Sequence, residues 1–227
     1  YTQVDTADLD HMHTFPGQYP FVRGNEPLKF VTEPWLVAQE ANAATPAAMN
    51  ALLSYELERG QTAVNLLLDR ATRAGLDPDQ VEDGLVGVDG VSVATAVDLE
   101  TLFAGIDLAD YPLFVRSGTA ALPFAALLTA YLQEAGLATA VLRGSLEADP
   151  IGELARRGIL PVSLDTAYNE IAELIGWSAD NAPDWAVVTV HGYPYSNGGG
   201  SAVEDLAFVL ATAVTYLRHL QDRILDI

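Results

Sequence analysis

Apolar positions along the chain switch repeatedly between two periods. Behind the pair Thr45-Pro46, which supplies a cap and a proline at the first helical position, Leu52, Leu53 and Leu57 recur at helical spacing until Gly60. The spacing predicts a helix. Residues 62–68 then form a β-branched and aliphatic run with little polar alternation, the pattern of a strand buried on both faces. Next come a helix capped by Asp98 and closed by Gly105, a strand over 112–116, and a helix over 122–135 stopped by Gly136. A strand over 139–143, a short helix over 150–157 ended by Gly158, a helix capped by Asp165 or Thr166, and a strand over 186–191 follow. Ser201 and Glu204 make a capping box for a last helix from 202 to about 225.

Buried strands alternating with helices imply parallel pairing through right-handed crossovers, so the predicted class is α/β. Four strands are half of what a complete (β/α) barrel needs. The pattern therefore fits either an open sheet or a half barrel of the TIM type whose remainder lies elsewhere. Residues 1–44 differ. Pro16, Pro20, Pro27 and Pro34, with Gly17 and Gly24, punctuate the segment too often for regular structure. It is expected to be an extended arm, followed by a partial barrel over 45–227. Four strands of a barrel leave two unpaired edges and an apolar inner face, which predicts self-association or a partner.

Composition narrows the function classes. The 227 residues carry 31 Asp+Glu against 11 Lys+Arg, a net charge of −20, and no cysteine. An acidic surface is repelled by phosphate backbones and anionic lipid, so neither nucleic acid nor a membrane surface is an expected partner. Without cysteine there is no thiolate nucleophile and no thiolate-bound metal. The most apolar stretch, 120–132, is shorter than the roughly 20 residues of a membrane-spanning helix. The start, from Tyr1, shows neither the basic nor the apolar part of a secretory signal, and a cytoplasmic location is expected.

In a parallel α/β sheet, ligands collect beyond the carboxyl ends of the strands. The residues there are Arg70, Arg116, Arg143, Glu147, His191 and Tyr193. Three arginines at equivalent strand ends suit an anionic group, or they pair with the many carboxylates around them. His191 is the best candidate for proton transfer or orientation, because imidazole titrates near neutral pH, although a structural histidine fits the same position. No serine–histidine–aspartate spacing stands out, and the G-x-S-x-G motif is absent. His11 and His13, with Asp8 and Asp10, make at most a weak metal site and are expected to be exposed instead. No metal is assigned. The run Gly198-Gly199-Gly200-Ser201 ahead of a helix suits an anion or a plain turn.

Several segments, in order, resemble one family. They are Tyr19-Pro20-Phe21-Val22-Arg23-Gly24, then Pro34-Trp35-Leu36-Val37-Ala38-Gln39, then Glu58-Arg59-Gly60-Gln61-Thr62-Ala63-Val64 and the stretch 91–105. His191-Gly192-Tyr193, the glycines after it, and Glu204-Leu206-Ala207 complete the series. Together they resemble the N-terminal half of the barrel of cobalamin-dependent methylmalonyl-CoA mutases. The resemblance implies a TIM-type barrel threaded by an acyl-CoA, with adenosylcobalamin on a separate domain. The cobalamin signature D-x-H-x-x-G is absent from this sequence, so adenosylcobalamin is expected in a partner subunit or complex and not on this chain.

The departures from that pattern shape the functional expectation. Where the resemblance implies a substrate-contacting arginine and tyrosine after Pro-Trp, this chain has Ala38 and Glu40. The implied thioester-binding histidine after Gly-Tyr is Pro194, which has no donor. The implied glutamine at the end of the third strand is Glu147, and Arg157 falls where the family places its carboxylate-gripping arginine. Losing the thioester donor alone costs on the order of 3 kcal/mol of transition-state stabilisation. The expectation is a non-catalytic, small-subunit-like chain that stabilises a catalytic mutase partner. The second reading is an acyl-CoA mutase of altered substrate range using Arg157, Glu147 and His191.

Overall fold

A computed structural model describes residues 2–82 and 84–224, without the side chains of Gln3, Asp10, His11, Phe30 and Ile224. The chain divides into two compact units, Tyr1–Leu36 and Val37–Ile227. In the first, two 3₁₀ turns (Gln3–Thr6 and Asp10–His13) precede the four-residue helix α1 (Lys29–Thr32). Its backbone pairings are mostly short-range turns, with Gly17 N–H to the Gly24 carbonyl at 2.8 Å among the longer ones.

The second unit carries the α/β pattern. Its elements are α2 (Pro46–Leu57), β1 (Val64–Leu67), α3 (Arg70–Arg73), α4 (Ala96–Leu102), β2 (Leu113–Gly118), α5 (Ala121–Glu134) and β3 (Gly144–Ala148). After these come α6 (Pro150–Arg157), α7 (Leu164–Asn181), β4 (Trp185–Val188), α8 (Tyr193–Asn197) and α9 (Ala202–Ile224). The four strands pair in the order β1-β2-β3-β4, all parallel, as the buried runs require. The class and the four strand–helix units agree with the sequence expectation of a partial TIM-type sheet.

Local chemistry explains the boundaries. Thr45 caps α2 by accepting from Ala48 N–H, and Pro46 needs no partner at the first position. The start of α4 corrects the sequence expectation. Thr95 is the cap, and Asp98 closes a capping box from the third helical position. Likewise α7 is capped by Ser163, not by Asp165 or Thr166. The third strand is corrected as well. Residues Thr139–Val141 form a 3₁₀ turn and the strand begins at Gly144, because Gly144 lies against the Leu113 backbone where no side chain fits. The expected end of the last helix at 225 falls outside the described residues.

The core lies between sheet and helices, with Leu66, Leu113, Val115 and Leu146 from the strands against Leu99, Phe124, Leu128 and Ile171 from the helices. Trp185 is buried on β4 and satisfies its indole N–H on the Leu113 carbonyl at 3.1 Å.

The two sheet edges differ. On β1, the outer backbone groups are occupied: Ala63 N–H donates to Val37, Asn65 accepts from Ala41 N–H, and Leu67 accepts from Val91 N–H. The expectation of two unpaired edges is therefore corrected, since the extended segment after residue 36 and the Val91 strip cover β1. On β4, no described residue pairs with the outer side. Along α9, Thr212, Tyr216 and Leu220 face inward, while Val203, Leu206, Leu210, Val214 and Leu217 form an exposed apolar stripe at helical spacing. Among the described residues no helix is long and apolar enough to cross a membrane.

Candidate functional site

Arg116 near the end of β2, Glu147 near the end of β3 and His191 beyond β4 meet above the carboxyl ends of three adjacent strands. The parallel register brings them there, with Val115 beside Leu146 and Ala148 beside Val188. Glu147 is central. Its Oε2 lies 3.0 Å from His191 Nε2 and 3.7 Å from Arg116 Nε. Arg116 also reaches Glu40 at 2.9 Å, which completes a row Glu40–Arg116–Glu147–His191 of alternating charge. The Glu147–His191 approach is too bent for a straight hydrogen bond and acts chiefly as an ion pair.

The close approach of the Glu147 carboxylate, at 3.0 Å, holds the His191 pKa above its ordinary value, against the opposing effect of burial. The charges of Glu147 and Asp149 add to the rise, and Arg116 subtracts from it. The sign follows for stability. A raised folded-state pKa adds stability in full below the unfolded value of 6.5, and that stability is lost as pH climbs through the folded value. In an NMR titration His191 is expected to titrate above 6.5, and Glu147→Gln to bring it down. Denaturant unfolding at pH 6 and pH 9 should show the stability difference shrinking in the same variant.

Beneath this row lies a residue that the sequence reading passed over. Asp149 is 3% exposed and follows β3 directly. Its Oδ1 accepts from Gly152 N–H at 3.0 Å and from Tyr216 O–H at 2.5 Å, and its Oδ2 accepts from His191 N–H at 2.9 Å. Tyr216 accepts in turn from Ile151 N–H at 2.9 Å. Burial, then the Asp149 charge, push the Tyr216 phenol far above its usual pKa, so it stays a donor. The pair Asp149-Pro150, a cap followed by proline, was the available sequence signal. Tyr216 had none, since 67 residues separate it from Asp149.

The remaining candidates are distributed as follows. Arg157 sits in the last turn of α6 and pairs through Nε with Glu153 Oε2 at 2.9 Å, sharing that carboxylate with Arg156. Tyr193 and Pro194 open α8 and line the mouth of a cleft of about 40 Å³ together with Arg116, Glu147, Arg156 and His191. Arg70 leaves the row to pair with Asp89 at 2.6 Å. The placement of Arg143 is corrected. It precedes β3, at the opposite end of that strand from Glu147, and donates to the Ala109 and Asp110 carbonyls at 2.8 and 3.1 Å. The glycine run is not an open anion cradle either, because Glu204 Oε2 accepts from Ser201 N–H and occupies the start of α9. The side chains of Asp10 and His11 lie outside the described residues. Among the described residues no cluster of three metal-ligating side chains forms.

Residues 1–227 match the family described as methylmalonyl-CoA mutase from end to end. The chain belongs to the methylmalonyl-CoA mutase family. A probable methylmalonyl-CoA mutase large subunit of Mycobacterium bovis is 32% identical over 217 residues, covering 95% of this chain and 29% of that protein. The large subunit of Streptomyces virginiae is 30% identical, over 100% of this chain and 31% of its own length. The Escherichia coli methylmalonyl-CoA mutase is 29% identical, over 96% and 31%. The chain thus spans about a third of the length of the curated relatives it matches. Set in this family, Ala38, Glu40, Glu147 and Pro194 are the positions to weigh. The structure has two of them, Glu40 and Glu147, gripping the same arginine.

Proposed function

We propose that this chain is a non-catalytic, small-subunit-like portion of a methylmalonyl-CoA mutase and stabilises a catalytic partner subunit in the cytoplasm. The observation that carries the reading is the row Glu40–Arg116–Glu147–His191, in which the polar groups at the strand ends neutralise one another. An acyl thioester would need free donors there, and Pro194 offers none. The carboxylate grip expected of Arg157 is taken up by Glu153. Adenosylcobalamin is assigned to the partner, since the D-x-H-x-x-G signature is absent from this sequence.

The surfaces offered to that partner are the outer side of β4 and the apolar stripe of α9, each of which favours burial. Co-expression with a catalytic mutase subunit followed by size-exclusion chromatography tests the reading. A co-eluting complex at micromolar concentration is expected, with Leu206→Asp/Leu210→Asp weakening it at least tenfold. Two separate peaks for the unmodified proteins at moderate salt would remove the proposal.

The second reading, an acyl-CoA mutase of altered range, is favoured by one observation, the raised His191 pKa beside Glu147 in an open cleft. Acyl-CoA binding by the chain, weakened by Arg157→Ala, distinguishes it from the first.

A further inference from the structure

At the other end of the sheet from His191, where the chain turns back toward the starts of β2 and β3, a groove of about 630 Å³ opens between the C-terminal ends of α4 and α5. Its floor is apolar. Phe103 and Ile106 follow α4, Tyr131 lies in the last turn of α5, and Leu137 follows that helix. The Phe103 and Tyr131 rings are 5.7 Å apart. Phe103 and Ile106 are buried, whereas Tyr131 and Leu137 are only half-buried and leave ring and aliphatic surface to the opening.

Three exposed carboxylates stand around that floor, Glu100 on α4, Asp107 in the turn after it and Glu134 at the end of α5. None is neutralised. Asp107 spends Oδ1 on Ala109 N–H at 2.8 Å, and among the described residues none of the three makes an ion pair. The last turns of α4 and α5 carry no basic residue either, so the partial negative charge of both helix ends adds to theirs. Burial, then the charges of Asp107 and Glu100, raise the Tyr131 phenol above its usual pKa and keep it neutral. Arg143, at this end of the sheet, does not line the groove and is engaged with the Ala109 and Asp110 carbonyls.

We propose that this groove docks a basic, apolar-flanked segment of another protein, with an arginine over the Tyr131 ring among the three carboxylates and its aliphatic neighbours on Ile106 and Leu137. Arginine meets both demands, because a planar guanidinium stacks on an aromatic face and pairs with carboxylates. A second copy of this chain is a poor occupant, since each carries a net charge of −20. None of the groove residues belongs to β4 or α9, so the inference stands whether or not a mutase subunit binds there.

Fluorescence anisotropy of the full chain tests the proposal, with labelled octapeptides of alternating leucine and arginine, alanine and arginine, or leucine and glutamate, at about 0.15 M salt. The leucine/arginine peptide is expected to bind about tenfold tighter than the alanine/arginine peptide, and the leucine/glutamate peptide should not bind. Glu100→Gln/Glu134→Gln should weaken the leucine/arginine complex about fivefold. Glu173→Gln/Asp180→Asn, which removes the same charge from α7, should leave it unchanged. Equal affinity for the two arginine peptides, undiminished affinity in Glu100→Gln/Glu134→Gln, or an equal loss in the α7 control would overturn it. A dimer seen by light scattering without peptide, and dissociated by Glu100→Gln/Glu134→Gln, would overturn it too, by making a second copy the occupant.

Discussion

Replacing Asp149 by alanine is expected to destabilise the protein by about 3–5 kcal/mol, because one buried carboxylate caps a helix and holds two further donors. At this chain length that corresponds to a fall in Tm of roughly 10 °C, measurable by calorimetry. Asp149→Asn should cost less, since the amide oxygen keeps one acceptor while its NH₂ opposes the remaining donors. Tyr216→Phe should cost about 1–2 kcal/mol, leaving Ile151 N–H unpaired. A double-mutant cycle between Asp149 and Tyr216 should show strong coupling, because they share one hydrogen bond. Additive losses would mean that the network is not a unit.

The second large effect concerns Gly144. Its φ of 103° is a region that side chains rarely adopt, and a Cβ there would lie 2.4 Å from the Leu113 carbonyl oxygen. Both atoms belong to paired backbones in the middle of the sheet, so neither can yield. Gly144→Ala is expected to cost about 3–4 kcal/mol. It should also shift β3 against β2 and β4, which moves Glu147 away from Arg116 and His191. Denaturant unfolding reads the first consequence, and a lowered His191 pKa reads the second. A variant with wild-type stability and an unchanged His191 titration would show that the register tolerates a side chain there.

Much of the architecture was legible because burial leaves a period in the sequence. The strand runs at 62–68 and 112–116 overlap β1 and β2, and the helix expected over 150–157 is the observed α6. The third strand was displaced because 139–143 is as apolar as a strand, yet a positive-φ glycine sets the start of pairing. That displacement moved Arg143 from the site side of the sheet to the other end. Within the site, His191 was found because it follows a strand, and Glu147 because a third strand expected at 139–143 left it just past a strand end, whereas it lies within β3. Asp149 and Tyr216 were missed because their importance is tertiary. Asp149 reads locally as an ordinary cap, and Tyr216 as one more aromatic on a long helix. Only the packing shows that each is buried, and by what it is satisfied.

The unequal flanks of the sheet set a limit on assembly. Among the described residues β1 is sealed by the chain's own backbone, so a further strand, whichever chain supplies it, can join this sheet only beside β4.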